Sequence, residues 1–136
     1  MCGIFGIFGN TDASVNTALG LHALQHRGQE GGGIASWDNG LHSCHDTGRI
    51  GEIFGEQDIL AQLPGTMAIG HVRYSTTGGS GQANIQPLKG NFDFGEFALV
   101  HNGDITNFPK LKQRLVSQGS LFQSTGDTEV ILHLMA

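Results

Sequence analysis

The residue best suited to chemistry is Cys2, which follows a methionine and precedes a glycine. Methionine ahead of a small residue is normally trimmed, which would leave Cys2 with a thiol and a free α-amine on one residue. Such a pair is a compact catalytic unit: the thiolate attacks, and the amine takes and returns the proton. Their ordinary pKa values, about 8.5 and about 8, lie near enough to neutrality for modest tuning to make both useful. Gly3 and Gly6 let other backbone approach the sulfur closely. Taken alone, the Met1-Cys2-Gly3 triplet equally suits a small buried hydrophobe, a common state of free cysteine.

Other residues of chemical interest carry weaker patterns. His22 and His26 are four apart on one helix face, a metal-ligand spacing, but no third ligand is evident and no metal site is expected. On a strand, His42 and Cys44 would share one face and His45 the other, which leaves Cys44 as a packing or surface thiol. Gly3, Gly6 and Gly9 lack the spacing and the following helix of a dinucleotide fingerprint.

Five blocks change the weight on Cys2. Cys2-Gly3-Ile4-Phe5-Gly6 resembles the start of the N-terminal-nucleophile, or class II, glutamine amidotransferases. Leu24 to Glu30 (Leu-Gln-His-Arg-Gly-Gln-Glu), Gly70 to Thr76 (Gly-His-Val-Arg-Tyr-Ser-Thr), His101-Asn102-Gly103 and Gly126-Asp127-Thr128-Glu129 are similar to the family's further signatures. They occur in the family's order and spacing and cover the chain from end to end. Gln25-His26-Arg27-Gly28-Gln29 and Tyr74-Ser75-Thr76-Thr77 resemble the purine-biosynthetic branch. The glucosamine-phosphate synthase branch usually reads Glu-Tyr-Arg-Gly-Tyr and Trp-Ala-Thr-His at these places. One departure is Gly32, where the family often has Ala; the lost methyl predicts a looser backbone.

The resemblance implies roles that physical chemistry makes intelligible. Glutamine is a zwitterion with a neutral amide tail. Arg73 offers a planar fork for its α-carboxylate, and Asp127 an acceptor for its α-ammonium. Attack on the amide builds an oxyanion, for which the Asn102 side-chain amide and the Gly103 backbone N–H are the implied donors. Arg27, Gly28 and Thr76 complete the implied substrate-binding set. Each has a plainer reading: Arg73 as a charge at a strand end, Asp127 as a helix cap, Asn102-Gly103 as a tight turn, Gly28 as a helix stop.

Elements must bring these residues together. Ile4 to Phe8 reads as a buried strand. Asp12 can cap a helix to about Leu24, with Val15, Ala18, Leu19, His22 and Ala23 on one face. Ile34 to Trp37 and Leu41 to Cys44 would form a hairpin about Asp38-Asn39-Gly40. A short helix over Glu56 to Leu63 stops at Pro64-Gly65, and Thr66 to Val72 is a strand followed by the polar loop Ser75 to Gln86. Phe97 to Val100 is a further strand. Asn107 caps a helix with Pro109 in its first turn, Leu111, Leu115 and Val116 on one face, and Gly119 as its stop. Ser124 and Asp127 have capping-box spacing ahead of a last apolar helix from Glu129. That helix reaches Ala136 without a stop signal, as in a fragment of a longer protein.

Antiparallel strands interleaved with helices predict an α+β layered domain. The resemblance sharpens this to the four-layer αββα fold of N-terminal-nucleophile hydrolases, two antiparallel sheets between helices, incomplete here. Residues 1–136 would be the N-terminal part of a glutaminase domain, without a phosphoribosyltransferase domain. An incomplete sheet would expose edges and apolar surface and favour aggregation.

The bulk numbers agree with one domain of 136 residues. A formal charge of −5, with few and scattered cations, argues against a nucleic-acid surface. The 22 glycines have no period and read as turns and close approaches. Two cysteines make no disulfide framework, and no segment reads as a signal peptide or membrane span, so a cytoplasmic enzyme is expected. The resemblance implies glutamine and phosphoribosyl pyrophosphate as substrates of the full enzyme and a homo-oligomer at full length. It implies no cofactor in this segment and Mg2+ for the missing transferase domain, and it leaves open an iron–sulfur cluster, whose ligands would lie beyond Ala136. The rival readings are another class II glutaminase such as the glucosamine-phosphate branch, a glutamine-binding fragment without turnover, and an N-terminal-cysteine hydrolase of other amides.

Overall fold

The computed structural model describes residues 1–74 and 81–136, so Thr76 and the first half of the predicted Ser75–Gln86 loop lie outside the described residues. The strands are β1 (Gly3–Phe8), β2 (Gly31–Trp37), β3 (Leu41–Thr47), β4 (Met67–Arg73), β5 (Leu88–Phe92) and β6 (Gly95–Leu99). The helices are α1 (Ala13–Ala23), α2 (Ile50–Ile53), α3 (Gln57–Ala61), α4 (Phe108–Ser117) and α5 (Glu129–Met135). The first sheet is antiparallel in the order β1-β4-β2-β3, and β5 and β6 form a second antiparallel pair.

Alternation along β4 explains the layering. Ala68, Gly70 and Val72 point outward to α1, and Met67, Ile69, His71 and Arg73 point toward the second sheet. Ala13, Ala18 and Leu21 of α1 join Ile34, Ala68, Val72, Ile50 and Ile53 in the outer core. On the far side, α5 packs on β5 and α4 on α5, which gives the order helix, sheet, sheet, helix. The second sheet covers only part of the inner face. A cavity of about 450 Å³ remains between the sheets, lined by Phe8, Trp37, Met67, Ile69 and Phe97 among others.

The predicted face of α1 is corrected. The buried side chains are Ala13, Ser14, Thr17, Ala18 and Leu21, while Val15 and Leu19 are exposed. The reason is close approach. A Cβ on Gly70 would sit 2.6 Å from Leu21 and 2.8 Å from Thr17, so the helix lies almost on the sheet backbone and only its small face fits. Asp12 precedes α1 but makes no side-chain cap bond. Ser124 and Asp127 do not form a capping box either. Glu129 takes the Ser124 N–H and hydroxyl at 2.7 and 2.5 Å, and Asp127 turns away to the Ile105 N–H at 2.7 Å.

Gly32 does not loosen β2. A methyl there would meet Ile50 Cδ1 at 2.3 Å, so the Ile50 side chain occupies that space. The Gly119 stop holds: its φ is +101°, and the Gly119 and Ser120 N–H groups close on the carbonyls of Val116 and Leu115. Two elements went unpredicted. β5 carries Gly and Asn in five residues, and α2 is four residues nucleated by Gln25 Oε1 on the Ile50 N–H at 2.7 Å.

The corrected helix face has a measurable consequence. Leu21→Ala is expected to cost about 2–5 kcal/mol in urea unfolding, and Leu19→Ala no more than about 0.5 kcal/mol. The reverse order would restore the face read from the sequence.

Candidate active site

The antiparallel register of β1 with β4 pairs Gly3 with Val72, which sets Cys2 beside the end of β4. The Cys2 thiol lies 3.5 Å from both the N–H and the carbonyl oxygen of Tyr74. The Tyr74 N–H is the donor placed to stabilise a thiolate. The Cys2 carbonyl accepts two hydrogen bonds at 2.9 Å, from Arg27 Nε and from Asn102 Nδ2. Two side chains, 25 and 100 residues distant in sequence, thus grip the same main-chain oxygen.

Arg27 reaches this place because a short turn (Gln25–Arg27) follows α1, tied by Gln25 Nε2 to the Gly28 carbonyl at 2.5 Å. Gly28 itself is not a helix stop of the left-handed kind, since its backbone is extended. It lies behind Arg73: a Cβ at Gly28 would stand 2.4 Å from the Arg73 carbonyl oxygen. The absence of a side chain there lets the Arg73 main chain pass close by.

Cys2, Arg73, Gly103 and Asp127 line one narrow cleft, together with Tyr74, Asn84, Gln86, His101, Gly126 and Thr128. Arg73 and Asp127 are 6% and 7% exposed, so neither is a surface charge. Arg73 Nη1 donates to the Asn84 carbonyl at 2.7 Å. Asp127 does not cap α5; its Oδ2 accepts the Ile105 N–H, and its Oδ1 the Thr128 hydroxyl at 3.4 Å. The Gly103 backbone packs against the His101 ring, where a Cβ would fall 2.7 Å from Nε2. Asn102-Gly103 is thus fixed in place by neighbours on both sides of the turn. A cation, an anion and a thiol share one cleft with Gly103, while Asn102 stands beside it with its Nδ2 on the Cys2 carbonyl; a cation and an anion so placed suit a zwitterion next to a thiol.

Sequence reasoning missed Asn84, Gln86 and Tyr74 at this site. The signal available was Asn84-Ile85-Gln86-Pro87, two neutral amides flanking an apolar residue, a pattern that suits inward-pointing amides on an extended segment. His45 and Cys44 take opposite faces of β3, as read, and lie outside the cleft. Among the described residues no cluster of three or more His, Cys, Asp or Glu could hold a metal.

Below the cleft His71 is fully buried, and its ring nitrogens find no well-formed hydrogen bond. Burial, followed by the Arg73 guanidinium, pushes its pKa down to about 4, against a weaker upward pull from the His101 backbone. Burial works upward on the Glu129 carboxyl, but bonds from Ser124, the Gln123 N–H and nearby His133 outweigh it, and the pKa is lowered.

Comparison with known proteins places this geometry. Residues 55–136 match the family model described as a glutamine amidotransferase domain. An amidophosphoribosyltransferase from Lacticaseibacillus casei is 50% identical over 135 residues, covering 98% of this chain and 70% of that sequence. Those of Vigna aconitifolia (chloroplastic) and Bacillus subtilis are 49% and 48% identical over 99% and 98% of this chain. The chain spans 28% of the length of each of these two. The solved B. subtilis glutamine phosphoribosylpyrophosphate amidotransferase, complexed with ADP and GMP, superposes with a TM-score of 0.89 at 44% identity, covering 99% of this chain and 29% of that one. A structure described as the allosteric regulatory enzyme of purine biosynthesis gives 0.92 at 47% identity, with the same coverage.

Fold and cleft define the class: a glutamine amidotransferase domain with the N-terminal-nucleophile hydrolase fold. Within that class, the chain belongs to the amidophosphoribosyltransferase family.

The buried His71 sets an acid limit on this site. The folded state refuses a proton until about pH 4, while the unfolded chain takes one near 6.5. The stability it contributes is therefore complete above about pH 6.5 and is lost as pH falls toward 4. Urea unfolding near pH 4.5 should show about 2.5 kcal/mol less stability from this group than near pH 7. His71→Leu should flatten the slope in that window; an unchanged slope would show that another group carries it.

Proposed function

We propose that this chain cleaves the side-chain amide of glutamine to glutamate and ammonia, with Cys2 as nucleophile after Met1 is removed. The observation that carries the reading is the sharing of one cleft by the Cys2 thiol and the buried, oppositely charged Arg73 and Asp127. A zwitterionic amino acid held at its α-carboxylate by Arg73 and at its α-ammonium by Asp127 would extend its amide toward the sulfur. In a cleft shielded from water such paired recognition is far stronger than at a surface.

The steps follow from the groups present. The free α-amine of Cys2 takes the thiol proton, and the thiolate attacks the amide carbon. The oxyanion that forms is met by Asn102 Nδ2 and the Gly103 N–H. The Asn102 NH2 group carries two hydrogens, so one can keep the Cys2 carbonyl while the other faces the oxyanion. Collapse breaks the C–N bond, the ammonium of Cys2 protonates the leaving nitrogen, and a thioester remains on the sulfur. Water, activated by the same amine, then releases glutamate.

In the whole protein the ammonia would aminate phosphoribosyl pyrophosphate to phosphoribosylamine, the first step of purine synthesis, on a phosphoribosyltransferase domain that uses Mg2+. Residues 1–136 are the N-terminal part of the glutaminase domain in this reading. Thr76, on the segment after β4, would belong to the substrate-binding set. The full-length protein would be a cytoplasmic homo-oligomer. No helix among the described residues is long and apolar enough to cross a membrane.

Cys2→Ser should lower glutamine hydrolysis by at least about 1,000-fold while calorimetry still registers glutamine binding. Turnover retained in that variant would remove Cys2 from the mechanism. An uncleaved extension ahead of Cys2 should likewise abolish turnover, and mass spectrometry of the active protein should find Met1 gone. Full activity with the extension in place would show that the α-amine is not the base.

A further inference from the structure

Two residues given no role above touch most of the cleft. Asn84 and Gln86 lie between β4 and β5, each 6% exposed. The Asn84 carbonyl receives Arg73 Nη1, while its side chain accepts the N–H groups of Thr125 and Gly126 at 3.0 and 2.8 Å. Its Nδ2 donates to Thr125 Oγ1 at 2.9 Å. Gln86 Oε1 accepts the His101 N–H at 2.6 Å, and its Nε2 donates to Thr128 Oγ1 at 3.0 Å. The two side chains therefore reach different partners. Asn84 holds the residues that precede Asp127, whereas Gln86 holds the residue that precedes Asn102-Gly103 and, through Thr128, the residue that follows Asp127.

Their own backbone is anchored. The Ile85 side chain and Pro87 are buried, and a Cβ on Gly33 would lie 2.4 Å from the Gln86 carbonyl oxygen, so the segment rests on the floor of β2. A buried amide is costly unless both its ends are bonded, and here both ends of both amides are used on loops that line the cleft. Rigid side chains bonded in this way fix the position of loops that have few other ties.

We propose that Asn84 and Gln86 are positioning residues that divide the cleft between them, Gln86 setting the oxyanion loop and Asn84 setting the site for the amino-acid head group. The proposal rests on the glutaminase reading for its kinetic form. A loop displaced by about 1 Å at the reacting centre costs on the order of 100-fold in rate, whereas a displaced ammonium site weakens binding of substrate and transition state alike. The two residues should then give different kinetic signatures.

The test uses the chain with Met1 removed and steady-state glutamine hydrolysis. Gln86→Met, an unbranched replacement without either hydrogen bond, should lower kcat by about 10- to 100-fold and, because its tie to Thr128 is lost too, raise KM, though by less than Asn84→Leu does. Asn84→Leu should raise KM by about tenfold or more and lower kcat by less than about threefold. Equal changes in kcat and KM for the two variants, or kcat for Gln86→Met within about twofold of the parent, would overturn the proposal. Amide hydrogen exchange provides a readout that does not need turnover. Gln86→Met should speed exchange at residues 101–105, and Asn84→Leu at residues 124–127, with β4 unaffected. If the parent does not hydrolyse glutamine, the glutaminase reading fails; exchange unchanged in both loops would then sink the positioning proposal independently.

Discussion

Cys2 is held in place by noncovalent bonds that converge on one atom, its own carbonyl oxygen. Arg27 and Asn102 both donate to it. Arg27 owes its place to the turn after α1, and Asn102 to the loop after β6. The pairing of β1 with β4 supplies the third constraint, because it lays the first residues along the strand that ends in Arg73. Losing any one leaves the sulfur on a hinge.

The same strand explains why recognition and reactivity share one cleft. Alternation puts Arg73 on the inner face of β4, two residues from buried His71. Burial, and then the positive Arg73 guanidinium, keep His71 neutral, so the inner face of β4 at this end carries one cation and not two. Asp127 supplies the opposite charge from the segment before α5, and its tie to the Ile105 N–H joins that segment to the loop that carries Asn102 and Gly103. The two halves of the site are thus linked above the sheet by Asp127 and at its edge by Asn84 and Gln86. Away from the cleft, the inner face is apolar and only partly covered by β5 and β6, which leaves Phe8 exposed beside the large cavity.

Much of this was legible in the sequence, for physical reasons that can be named. The strands β1, β2, β3, β4 and β6, and the helices α1, α3, α4 and α5, all followed from apolar runs, Asn-Gly-type turns and glycine stops. The face of α1 was misread because hydrophobicity favours Val15 and Leu19, whereas the sheet offers space only for Ala13, Ser14, Thr17 and Ala18 around Leu21. Asp12 and Asn107 stand at the N-caps of α1 and α4 without a side-chain cap bond, and the Ser124–Asp127 box is lost because Glu129 takes the Ser124 N–H and hydroxyl. The close pass of Gly28 by the Arg73 carbonyl depends on the pairing of distant segments and has no local signature.

The sequence by itself determined the family and the residue types that gather at the cleft: a cysteine beside the first residue, an arginine, an aspartate and an Asn-Gly pair. It did so because reactive groups are few and their spacing along the chain is characteristic. Only the tertiary structure decided which of these groups meet and what braces them. Asn84 and Gln86 look like ordinary loop amides in sequence. Their importance lies in hydrogen bonds spanning 15 to 42 residues, and no local pattern encodes a partner that distant.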